Sequence, residues 1–335
     1  MKGKKILIVL CGILLLFVFS FSNATLAASK KIQLGHVNPA AEQDLYHIPV
    51  AKLIELVAER TNGEIEITEF PNCTLGGDRE LVEGMQIGTV DMALVSNAPI
   101  GAFAPAFMAL DLPFIFPSAE CAHQVLDGPV GRAILDTLDP IGVKGLAFTE
   151  AGFMQILNNV RPIEKPEDVA GIKFRVMQTP VYIGMFESMG SNAIPMPWGE
   201  VYTAIQQGVM DGLTIPIGSI YNVGYGEIVK YLSLTKNNYN APSLQISHFV
   251  WNTLSEEEQQ ILLQSALDAA NFGRERIKEI EAELLVKLEE QGMEIIREIE
   301  IVPFQNAVKP MYEEFREAIG SDMLNMLLAE TAKCQ

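Results

Sequence analysis

A single well-placed cation is the chemistry this chain most needs if it is to hold a small anion. It carries 42 acidic residues against 24 basic ones, a net charge of −18, so the molecule as a whole repels anionic ligands, nucleic acid and anionic lipid headgroups alike. Arg175 is one candidate for that cation, although a surface or interlobe salt bridge is the more ordinary role for such a residue. Ile172, Phe174 and Val176 alternate, so Arg175 projects from the opposite face of a strand, near its C-terminal end. A guanidinium takes a carboxylate through a planar fork and keeps its charge when desolvated. The plain alternative is an internal salt bridge.

Catalytic chemistry finds little support. Ser233-Leu234-Thr235-Lys236 has the spacing of a serine nucleophile with a lysine base, but the accompanying Ser-Asp-Asn and Lys-Thr-Gly phrases are missing. Cys121-x-His123 is a weak metal pattern on a helix, where packing is the ordinary role. His36, His47, His123 and His248 are scattered. There is no phosphate-binding glycine loop, no His-Glu-x-x-His and no Gly-x-Ser-x-Gly. Neither an enzyme nor a cofactor is expected. Acids are so abundant that nominating any pair for proton transfer carries no weight.

The elements that must position Arg175 follow from periodicity. Ile32 to Gly35 reads as a strand; Val50, Leu53, Ile54 and Val57 recur at helical spacing, and Asn62-Gly63 stops that helix. Ile65 and Ile67 alternate in a second strand. Asp78 reads as the cap of a helix bearing Leu81, Val82 and Met85, and Val90 to Val95 reads as a buried strand. A second stretch repeats the pattern, with a strand at Lys173 to Val176 and helices at Val181 to Met189 and Glu200 to Gln207. The two match at an offset of 120 residues: Glu80 with Glu200, Gln86 with Gln206, Gly88 with Gly208, Asp91 with Asp211. Leu81/Val201 and Met85/Ile205 keep the same apolar register. Strands alternating with helices predict an α/β fold, here as two lobes that can close on a small molecule by hinge motion. Ser255 with Glu258 fits a capping box that opens a long helix running to Gly292, with a break near Gly273, able to brace both lobes.

The ends complete the outline. Lys2, Lys4 and Lys5 precede an apolar run from Ile6 to Phe21 and a small-residue exit at Ala27-Ala28, the three parts of a secretory signal peptide. That run is short of the roughly 20 residues that span a bilayer, so cleavage is expected rather than an anchor. The exported chain then starts near Ser29 with a charge of about −21, three lysines having been lost. Its remaining cysteines, Cys73, Cys121 and Cys334, allow at most one pair, and unpaired buried thiols are the expected reading.

Several phrases in order carry a family resemblance between Gly35 and about Pro310. They include Leu75-Gly76-Gly77-Asp78-Arg79-Glu80, Asp111-Leu112-Pro113-Phe114 and Gly171-Ile172-Lys173-Phe174-Arg175-Val176. The most telling is Pro195-Met196-Pro197-Trp198-Gly199-Glu200-Val201-Tyr202, completed by Gln206-Gln207-Gly208 and Asp211-Gly212. The chain resembles the DctP-type substrate-binding proteins of tripartite ATP-independent periplasmic (TRAP) transporters. That resemblance implies a two-lobed α/β periplasmic-binding-protein-like fold with a ligand cleft and a long hinge-spanning helix. It implies a receptor in the periplasm that captures a small organic acid and delivers it to membrane permease subunits. Residues 1–28 form the signal peptide. Residues 29–151 with about 241–280 form one lobe, and 152–240 with about 281–335 the other.

The resemblance also implies the site. Arg175 matches the family's carboxylate anchor and Trp198 its aromatic wall. Gln155, Ser96, Asn97, Val37 and Asn38 fall in segments that line the family's cleft. Two departures bear on the ligand: Gly152-Phe153-Met154-Gln155 has Met154 where sugar-acid binders carry a second arginine, and Thr214-Ile215-Pro216 has Ile215 where many carry an asparagine. Polar groups of a sugar acid left unpaired there would cost about 1–3 kcal/mol each. The expected ligand is therefore a monocarboxylate with an apolar or aromatic body, packed on Trp198, Phe153, Met154 and Ile215. An ABC-type or sensory receptor would share these physics, and an extracytoplasmic enzyme is the remaining alternative.

Overall fold

The computed structural model describes residues 29–334; the predicted signal peptide lies outside them. The first unit runs β1 (Lys30–Gly35), α1 (His47–Arg60), β2 (Ile65–Phe70), α2 (Asp78–Ile87) and β3 (Met92–Val95). Next come α3 (Ala119–Leu126), α4 (Pro129–Asp136), β4 (Val143–Phe148) and β5 (Gly152–Asn158). A second unit follows as β6 (Lys173–Val176), α5 (Pro180–Ser188), β7 (Asn192–Pro195), α6 (Trp198–Gln206) and β8 (Gly212–Pro216). The chain continues through α7 (Ile217–Val223), β9 (Tyr231–Ser233), β10 (Tyr239–Asn240) and β11 (Ser243–Ser247). It ends with α8 (Glu256–Glu290), β12 (Glu294–Ile296), α9 (Ile301–Val308) and α10 (Ser321–Thr331).

Two sheets result. One has the order β2-β1-β3-β11-β4; the other has β12-β9-β5-β8-β6-β7, with β10 paired to β5. Each unit contributes three parallel strands in the same relative order, β2-β1-β3 and β7-β6-β8. The repeat therefore extends to details. Asp91 Oδ2 accepts the Gln33 N–H and Asp211 Oδ2 accepts the Lys173 N–H, both at 2.9 Å. Gly88 and Gly208 end their helices at φ 76° and 69°, and Leu81, Met85, Val201 and Ile205 are all buried.

The chain passes between the sheets at residues 149–151 and again at 241–242, and α8 joins them a third time. Its capping box forms as predicted, Ser255 Oγ accepting the Glu258 N–H and Glu258 accepting the Ser255 N–H. At 35 residues it is about 50 Å long. It packs on α1 and β4 at one end and α7 at the other, burying Leu262, Ala266 and Ala269 in one lobe and Ile280, Leu284 and Leu288 in the other. The expected break near Gly273 does not occur. A Cβ there would meet the Pro49 ring at 3.3 Å, so the glycine serves close approach of α1.

The last segment touches both lobes: α9 packs against α5, whereas α10 returns to α3 and α4. There Cys121 of α3 is bonded to Cys334, with 5.8 Å between Cα atoms. The expectation of unpaired thiols is corrected for these two; Cys73 is free. Among the described residues no helix is long and apolar enough to cross a membrane.

Candidate ligand cleft between the lobes

Strand β6 places Phe174 in the core of the second lobe and turns Arg175 toward the first. Although Arg175 is only 3% exposed, no acid among the described residues lies within ion-pair distance of it. Its Nε and Nη2 donate to the Met196 carbonyl at 3.0 and 2.7 Å, and its guanidinium lies 5.7 Å over the Trp198 ring. The remaining nitrogen, Nη1, is buried without a partner among the described residues. Burial draws the Arg175 pKa down to about 10, the Tyr225, Asp78 and Tyr182 side chains opposing that fall, so it remains charged at neutral pH. A buried donor left unmatched costs about 1–3 kcal/mol or more. This one borders a cavity.

The cavity lies between the lobes and, mouth included, is about 560 Å³. Val37, Asn38, Tyr46, Asp78 and Ser96 line it from the first lobe; Arg175, Met177, Trp198, Ile215 and Ser219 line it from the second. Asn240 joins from the crossing at β10. Its second-lobe wall is largely apolar around the one cation, and its first-lobe wall is polar and acidic.

Helix starts shape both walls. Asp78 and Trp198 are the first residues of α2 and α6, following Gly77 and Pro197 in extended conformation. The cap expected at Asp78 is thus Gly77, which frees the Asp78 carboxylate to turn into the cleft. Its Oδ1 accepts the Ser96 N–H at 3.1 Å. Burial pushes the carboxyl up to about 7, against the pull of that N–H and of Arg175. Behind this wall Asp44 accepts from Asn38 Nδ2 at 3.1 Å and from the Tyr46 and His47 N–H groups, and burial lifts its pKa to about 6. Glu69 holds both His36 and His47, at 2.7 and 2.8 Å. Among the described residues no group of three or more His, Cys, Asp or Glu could hold a metal ion.

Six residues nominated from sequence, Arg175, Trp198, Ile215, Ser96, Asn38 and Val37, meet at this cavity. Four lie elsewhere. Met154 is fully buried and does not line it. Phe153 packs on Tyr239 with ring centroids 5.2 Å apart, because β10 pairs antiparallel with β5 at that point. Gln155 bonds the Phe153 carbonyl and the Lys236 N–H. Asn97 donates to Asp111 and accepts from the Ala241 N–H. Asp78, Tyr46 and Met177 escaped the sequence reading. One signal was present: the 120-residue offset pairs Asp78 with Trp198.

Residues 34–318 match the family model described as "Bacterial extracellular solute-binding protein, family 7". The chain is 33% identical to the 2,3-diketo-L-gulonate-binding periplasmic protein YiaO of Escherichia coli, over 86% of this chain and 87% of that one. It is similar in structure to a TRAP periplasmic solute-binding protein from Polaromonas bound to D-erythronate: TM-score 0.87, 32% identity, 90% of this chain and 99% of that one covered. The sugar acid binding protein DctPAm of Advenella mimigardefordensis, in complex with galactonate, gives a TM-score of 0.88 at 30% identity, covering 92% and 99%.

Proposed function

The chain belongs to the DctP family of TRAP solute-binding proteins, which are receptors and not enzymes, and on that premise we propose that it captures one small organic acid outside the cytoplasm and delivers it to a TRAP permease. The observation that carries this reading is the buried, unmatched Nη1 of Arg175 at the edge of the interlobe cavity. A ligand carboxylate supplies the missing acceptor, and the low-dielectric surroundings strengthen a charge-assisted bond. The ligand's body then lies against Met177, Trp198 and Ile215, whereas Phe153 and Met154, two of the four residues on which a wholly apolar or aromatic body was expected to pack, lie outside the cavity. Its other face meets Asn38, Asp78 and Ser96, which calls for polar substituents there. The similar proteins named above bind 2,3-diketo-L-gulonate, D-erythronate and galactonate, small acids with polar substituents, in keeping with that second face. Lobe I is taken as residues 29–151 with about 241–280, and lobe II as residues 152–240 with about 281–335, the last helix α10 returning to pack on lobe I.

A thermal-shift screen of residues 29–335 against small organic acids, beside Arg175→Ala, tests the reading. Ligand at about 100 times Kd adds about 2.7 kcal/mol to the stability of the native state. The expected result is stabilisation by at least one carboxylate and its loss in the variant. Stabilisation only by solutes lacking a carboxylate would overturn the reading.

A further inference from the structure

The cavity sets a cation on one wall and an acid on the other and joins them by no ion pair. Arg175 is the sole cation among its lining residues, while Asp78 and, at the rim, Glu80 are its acids. No ion pair within 4 Å joins them, and Asp78 has a single hydrogen bond among the described residues, from the Ser96 N–H to Oδ1. A plain carboxylate entering here would neutralise Arg175 and bring a second negative charge up to Asp78. Two donors of the first-lobe wall are already used: Ser96 Oγ donates to Asn240 Oδ1 at 3.1 Å, and Asn38 Nδ2 to Asp44. Acceptors predominate on that wall, namely Asp78 Oδ2, the Glu80 carboxylate and Asn38 Oδ1, beside the Tyr46 hydroxyl. A hydroxyl must accept as well as donate to be satisfied, whereas an ammonium only donates.

We propose that the captured acid is a zwitterion, with its carboxylate on Arg175 Nη1 and an ammonium group facing Asp78. The proposal rests on the carboxylate-receptor reading and adds the class of ligand to it. A net-neutral ligand of this kind leaves the charge of the closed cavity unchanged and enters a strongly acidic protein without working against its field. Trp198 and Met177 then pack on the carbon chain between the two charged ends.

Isothermal titration at pH 8 against matched acids tests it. Alanine, 3-aminopropanoate, 4-aminobutanoate and 5-aminopentanoate would each be compared with the hydroxy acid and the unsubstituted acid of the same skeleton. The proteins would be the natural chain, Asp78→Asn and Arg175→Ala. At one chain length or more the ammonium acid is expected to bind at least tenfold tighter than both counterparts. Asp78→Asn, which keeps the Ser96 bond and whose folding a cooperative melt would verify, is expected to erase that preference. Hydroxy acids binding as tightly as ammonium acids, a preference that survives Asp78→Asn, or no binding by any ammonium acid would each overturn the proposal. In those cases hydroxy-acid binding that is lost in Arg175→Ala would leave the carboxylate receptor standing. Binding that is indifferent to Arg175 would remove both.

Discussion

Burial acts on Arg175 and Asp78 in opposite directions, and only one of them keeps its charge comfortably near neutral pH. Arg175 at about 10 stays protonated. Asp78 at about 7 lies well above its ordinary value of 3.8, so the folded protein holds that proton more tightly than the unfolded chain does. Stability therefore falls as pH rises from about 4 to about 7, and the full penalty is present above that window. Asp78→Asn removes the buried charge. Without ligand, it is expected to raise the melting temperature at pH 8, by up to about 4 kcal/mol in stability, and to leave it unchanged at pH 4. A scanning-calorimetry series across that range checks this, and equal effects at both ends would show that Asp78 is not the titrating group. The strand face of Arg175 was legible because its neighbours alternate, whereas its nomination as the anchor came from the family resemblance. Asp78 was not, because an aspartate before a helical pattern reads as a cap, and only the backbone reveals that Gly77 takes that place.

Between elements, the lobes meet where side chains are smallest. A Cβ on Gly218, the second residue of α7, would lie 2.5–2.9 Å from the Leu45 side chain of the other lobe, and nearby Asn222 Nδ2 donates to the Gln43 carbonyl at 2.8 Å. Gly218→Val is expected to hold the lobes apart. Affinity for the ligand should fall at least tenfold, while the melting temperature without ligand changes little; titration calorimetry and a thermal melt separate the two effects. A large loss of stability without ligand would mean that the contact is part of the core rather than a closure surface. Most helices and strands were visible from their periods, and so was the repeat, because apolar spacing is a local property. The misplacement of Met154, Phe153 and Gln155 has a non-local cause. The segment Lys236–Asn240, some 85 residues further on, pairs alongside this part of β5 and bonds Phe153, Met154 and Gln155, and no pattern within Gly152–Asn158 announces that.

At the scale of the whole molecule, the Cys121–Cys334 bond ties the end of the chain to the first lobe across 213 residues. Loop closure of that length removes entropy from the unfolded chain worth about 5 kcal/mol. Cys334→Ser is expected to lose up to that amount in urea unfolding, and a change under 1 kcal/mol would show that packing of α10 alone secures the terminus. Cysteine counting could not find this pair, because three thiols allow three pairings and the fold selects among them. The net charge of −18 gives a kinetic test. Capture of a net anion should quicken as salt screens the repulsion, whereas capture of a zwitterion should change less than about twofold between 10 and 300 mM salt, followed by the fluorescence of Trp198 in stopped flow. The repeat has a further consequence. A cleft assembled from two copies of one unit, with like helix starts on both sides, would be blind to which way round its guest lay. Asp78 and Trp198 occupy the same place in the two copies, 120 residues apart, and one is an acid where the other is an indole. Together with Arg175 on one wall alone, that mismatch gives the cleft a head and a tail, so a molecule with distinct ends is expected to dock in one direction.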